Sequence, residues 1–198
     1  MPADLRPGPD SPPTDELRSA EQSLAVLQQV LHTIAADDMF RQTPCSEYDI
    51  SQLTEHLLNS ITTLGGMVEA DCSAREPADA VEGQIISAAR PTLDAWHRHG
   101  LKGNVSLGES EIPAKVAASV LSVEFLVHAW DYAAALGREV NAPDSLVEYV
   151  LGLAQRLIQP DQRARGGFAE PVEVPADASP MDRLIAFTGR SPAWRHQD

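Results

Sequence analysis

The chain has 198 residues, is 43% hydrophobic and carries a net charge of -14, a balance that suits one globular unit and argues against nucleic acid or an anionic membrane as partner. Its two cysteines, Cys45 and Cys72, form no C-x-x-C pattern, so a reduced, cytoplasmic protein without a disulfide framework is expected. No uncharged stretch reaches the roughly 18 residues of a bilayer span, and MPADLRPGPD lacks the basic and apolar regions of a signal peptide.

Residues 1–14 are rich in proline and are expected to form a disordered leader. A first helix follows, with Asp15 and Glu16 in its first turn. Its inner seam is Leu17, Ala20, Leu24, Leu27, Leu31 and Ile34, at alternating spacings of three and four. Residues 37–48 read as a connector. A second helix begins near Asp49, which pairs with Gln52 in a capping-box pattern, and Leu53, Leu57, Ile61 and Leu64 form its stripe up to Gly65-Gly66. After a loop at 71–77, a third helix is predicted from about Ala78 to His99. Pro91 is expected to kink or break it, and Gly100 to stop it.

Residues 101–112 read as a second loop, rich in Gly and Ser. The fourth helix is predicted to begin at Pro113 and to end with Gly137 as its left-handed terminator, and it is apolar nearly all round, as a central element must be. A fifth spans about Pro143–Ile158 with Leu146, Val150, Leu153 and Leu157 inward. Beyond Pro160 come a basic loop at Arg163–Gly167, a short extended piece at Glu170–Pro175, and a last short helix opened by Ser179-Pro180 and closed by Gly189. The pattern predicts an all-α fold: an up-and-down four-helix bundle over 15–160, with a short irregular C-terminal extension, 161–198, packing on it.

Within the apolar fourth helix, Glu124, His128 and Asp131 recur at spacings of four and three, which places them on one face. A carboxylate in such surroundings is costly unless it is paired or bound to a metal. His56, on or beside the inner stripe of the second helix, is the candidate third ligand. His56, Glu124 and His128 would make a two-histidine, one-carboxylate set for zinc or another divalent first-row metal, with coordination positions left open as in catalytic sites. Asp131, one turn on, suits either a fourth ligand or the acceptor that fixes an imidazole tautomer, with a proton relay as a further role. The plainer alternative is a Glu-x-x-x-His pair held by an ordinary hydrogen bond. The run Trp96-His97-Arg98-His99 reads as a charged helix end, His32 as structural, and Cys45 as an inert thiol. No phosphate-binding glycine loop or serine-hydrolase elbow is present.

Three phrases, TPCSEYDISQLTEHLLNSI at 43–61, EFLVHAWDYAAALG at 124–137 and RLIAFTGRSPAW at 183–194, resemble the mycothiol-dependent maleylpyruvate isomerase-like proteins, a branch of the DinB-like metal-binding bundles. The resemblance implies a DinB-like four-helix bundle that holds a divalent metal through the histidine matching His56 and the pair matching Glu124 and His128. It implies a metal-assisted reaction of a small thiol, mycothiol, with a small electrophile, as isomerase or S-transferase. Asp131 of the HAWD phrase matches a family residue, but the match assigns it no role. The isomerase carries a sizeable C-terminal domain after its bundle, whereas 38 residues follow Pro160 here. The alternative is a non-catalytic metal- or ligand-binding bundle with a stress or regulatory role. A monomer or homodimer is expected, with the thiol and the electrophile as its small-molecule partners.

Overall fold

The structure is a computed structural model that describes residues 11–45, 47–73, 80–161, 163 and 167–195. Among these residues there are six α-helices: α1 (Glu16–Leu31), α2 (Ile50–Gly66), α3 (Val81–His99), α4 (Ala114–Ala135), α5 (Asp144–Leu157) and α6 (Pro180–Phe187). A two-stranded antiparallel hairpin, β1 (Asn104–Leu107) and β2 (Ser110–Pro113), precedes α4. The expected leader falls mostly on residues 1–10, which lie outside the described residues, as do Ala78 and Arg165; Pro13, within the described part, is buried.

α4 is the centre of the molecule. Sixteen of its residues are buried, on every side of the helix, so it must be covered all round. α1, α2 and α5 pack against it, and α6 reaches it from beyond α5. α1 packs on α4 and α3, and α2 packs on the same two helices. Leu27, Leu53, Leu57, Ile61, Ile85, Trp96, Leu121, Phe125 and Leu126 meet in a single core. Asp49 and Gln52 bond reciprocally across the start of α2, as their pattern predicts, while Asp15 lies just before α1 as its N-cap and accepts from the Arg18 N–H.

Five expectations are corrected. α3 is not broken at Pro91, which lies inside it. Packing holds both sides of the proline: Ala88, Ala89 and Thr92 are fully buried, and the Trp96 indole donates to the Leu64 carbonyl at 3.1 Å. The predicted loop at 101–112 is instead largely the hairpin, which makes the fold mostly helical rather than all-α. Its two-residue turn places Gly108 at φ 61°, a conformation glycine adopts without strain. Pro113 ends β2 and caps α4 rather than opening it; Ala114 is the first helical residue. α1 ends at Leu31, so Ile34 packs from the following turn. Residues 170–175 form no strand.

Candidate metal centre

α2 and α4 lie side by side, and each turns its polar exception toward the other. His56 sits next to the buried stripe residue Leu57 of α2, while Glu124 and His128 are one turn apart on α4. The structure thus brings the three residues found by spacing to one place: a ligand atom from each lies within 4.8 Å of the other two. Glu124 Oε2 stands 3.6 Å from His56 Nε2 and 3.6 Å from His128 Nε2. These separations are too long for hydrogen bonds. Two ligand atoms each about 2.0–2.1 Å from a tetrahedral ion are themselves about 3.3 Å apart, so little movement would seat a cation between them. Glu124 Oε2 is a buried oxygen with no hydrogen-bond partner, and a cation between the two imidazoles would satisfy it. The donor set therefore fits a divalent ion.

The second nitrogen of His128 is also committed. Nδ1–H donates to Asp131 Oδ2 at 2.9 Å, in a fully buried position. This fixes the ring and leaves Nε2 facing Glu124 and His56. Asp131 is therefore the acceptor that orients a candidate ligand and is not itself in the ligand cluster. Tyr48 stacks on His56, with ring centroids 5.2 Å apart, and the His56 and His128 rings meet edge to face.

Electrostatics follow from this crowding. Burial disfavours charge on His128, but Asp131 and Glu124 outweigh it and lift the imidazole to about 9. Burial likewise opposes ionisation of Glu124, and His128, His56 and Ser60 overcome it, holding the carboxyl below the usual glutamate range. Asp131 is lowered in the same way, with Arg190 the strongest opponent of burial. His56 is lowered by burial and by the nearby His128 charge.

Sequence reasoning missed three features. Arg190 donates from Nε to Asp131 Oδ1 at 3.1 Å and from Nη2 to Asp131 Oδ2 at 2.9 Å, and it is buried. Arg163 is also buried, with its guanidinium 4.9 Å above the Phe187 ring. Cys45 lines the same small cavity, about 80 Å³, as His56, Glu124, His128 and Arg190, with Phe168 from the C-terminal segment. Burial pushes its thiol up, against the pull of Arg190. No local motif marks Cys45; only the folding back of 41–50, through the Tyr48 N–H to Cys45 carbonyl bond and the Ile50 N–H to Arg41 carbonyl bond, brings it there. The His97 and His99 pair of α3 stays exposed, with His97 on Glu21 at 2.8 Å. His32 is exposed and pairs with Glu82. Glu55, beside His56 in sequence, points out to solvent.

The chain is 28% identical over 183 residues to uncharacterized proteins of Mycobacterium tuberculosis strains CDC 1551 and H37Rv, covering 89% of this chain and 98% of each relative. No family model matches the chain, and no solved structure matches it. No helix among the described residues is long and apolar enough to cross a membrane.

Proposed function

We propose that this chain is a divalent-metal protein of the DinB-like four-helix class, with α1 to α4 as the bundle and zinc as the ion, and that it is a mycothiol-dependent isomerase or S-transferase. The observation that carries the metal reading is the convergence of His56, Glu124 and His128 around a buried carboxylate oxygen that has no hydrogen-bond partner. Three protein ligands and an adjoining cavity favour an open coordination sphere over a closed structural one. The thiol chemistry and the four-helix class rest on the three sequence phrases that resemble the maleylpyruvate isomerase-like proteins.

A zinc ion held there supplies a Lewis-acid centre that favours the thiolate form of a small thiol. The chain's own residues do the rest. Asp131 fixes the tautomer of His128. Tyr48 braces His56 through ring stacking, and Phe168 lines the cavity. A cavity of about 280 Å³, lined by Pro44, Cys45, Phe168 and Arg190, adjoins the metal chamber and gives a small electrophile room beside it. Zinc-loaded protein mixed with mycothiol and a panel of small electrophiles, maleylpyruvate among them, should consume or isomerise at least one, and His56→Ala should not. Absence of turnover across the panel, with zinc bound, leaves the non-catalytic metal-binding bundle.

A further inference from the structure

Arg190 lies 59 residues beyond Asp131 in the chain, after α6, yet its side chain ends on that carboxylate. Nε and Nη2 grip Asp131 as a fork, and Nη1 bonds the Thr188 carbonyl at 3.3 Å. The carboxylate so held is the one that accepts from His128 Nδ1. A bidentate clamp on Asp131 therefore sets the direction of the imidazole and of its Nε2.

The approach of the chain to this point is itself constrained. Gly189 has φ 88°, and a Cβ there would lie 2.7 Å from the Ala169 carbonyl oxygen. Only glycine lets the chain leave α6, pass against residue 169 and drop Arg190 inward. Arg163 secures the step before, with its guanidinium over the Phe187 ring and a hydrogen bond to the Phe187 carbonyl. Arg190 is thus delivered by a tight, specific turn.

We infer that Arg190 is a positioning residue of the metal centre, acting through Asp131 to hold His128 in ligating orientation, so that the C-terminal segment is a working part of the site. This rests on the metal reading of His56, Glu124 and His128. Arg190 hydrogen-bonds none of the three, and its side-chain bonds reach the site through Asp131. Lysine keeps the charge but cannot form the fork. Gly189→Ala keeps every charge and moves the backbone that carries Arg190.

The test is a cobalt(II) titration of full-length wild type, Arg190→Lys, Gly189→Ala and the paired neutral swap Asp131→Asn with Arg190→Gln, after circular dichroism has shown each to be folded. Dissociation constants are read by chelator competition, and the visible cobalt bands report the ligand field. Long-range ¹⁵N–¹H spectra of the metal-free proteins report the hydrogen bond at His128 Nδ1. Folded variants should bind cobalt about 10–100-fold more weakly than wild type, with shifted visible bands, and the His128 Nδ1–H signal should move or vanish. Any folded variant with wild-type affinity, bands and imidazole signals overturns the inference while leaving the metal reading intact. Wild-type protein that binds no cobalt overturns the metal reading instead. If Arg190→Lys and Gly189→Ala both prevent folding, the neutral pair decides, because it removes both members of the buried Asp131–Arg190 ion pair together.

Discussion

Glu124 Oε2 and His56 Nε2 face each other at 3.6 Å across the contact between α4 and α2. Neither helix could form the site alone. Glu124 and His128 are fixed by the 3.6-residue repeat of α4, but His56 is brought in by the packing of Leu53, Leu57 and Ile61 against the α4 face. A cation at that meeting point would pin two helices as well as satisfy one carboxylate.

Removal of a ligand should therefore abolish binding rather than tune it. His128→Ala, His56→Ala and Glu124→Gln are each expected to weaken zinc by more than the roughly 10–100-fold that outer partners cost. Metal analysis after gel filtration checks this. Glu124→Gln also removes the carboxylate that faces the raised His128 imidazole, so the metal-free form of this variant should melt below wild type at neutral pH.

Cys45 shares the cavity but lies outside the ligand cluster. Cys45→Ser should keep zinc affinity within about threefold of wild type, the ordinary scatter of such contributions. A bulky thiol reagent on Cys45 should fill the 80 Å³ chamber and slow exchange of the ion. Because burial raises its pKa, that reaction should be slow at neutral pH and quicken toward alkaline pH, as followed by mass spectrometry.

The metal-free protein should have a defined pH window of stability. His128 is raised from 6.5 to about 9 by folding, so its contribution is complete below 6.5 and is lost as pH climbs through about 9. Glu124 and Asp131 are lowered from 4.5 and 3.8, so their contributions are complete above those values and are lost as pH falls below them. His56, also lowered, starts to add to the acid loss as pH falls below 6.5. Melting curves in chelator should thus be highest in the acidic-to-neutral range and fall on both sides.

Zinc reverses the alkaline limb. The ion needs the Nε2 lone pair of His128, so binding at pH 7 must release the proton that Asp131 and Glu124 favour. Calorimetry in buffers of different ionisation enthalpy should show about one proton released, and apparent affinity should rise nearly tenfold per pH unit until about 9.

Much of this was legible from residue order because the signals were local. The inner seam of α1, the Asp49–Gln52 box and Gly137 each declare themselves within a turn or two. The Glu124–His128 pair is legible for the same reason, since its apolar neighbours make the polar residues conspicuous. The hairpin was not, because each short strand offers little apolar alternation: Val105 is buried at 5% exposure and Ile112 only partly so. Pro91 does not break α3 because Ala88, Thr92 and Trp96 are packed around it, which the local sequence does not record. Arg190 and Cys45 reach the site through long-range turns, at Gly189 and at 41–50, which no periodicity records.

The most direct test is a crystal structure of the zinc-loaded chain with anomalous data collected on both sides of the zinc edge. One peak is expected, bounded by His56 Nε2, Glu124 and His128 Nε2, with Asp131 still on His128 Nδ1. A peak elsewhere, or none at full zinc loading, would contradict the assignment of these three residues as a metal centre.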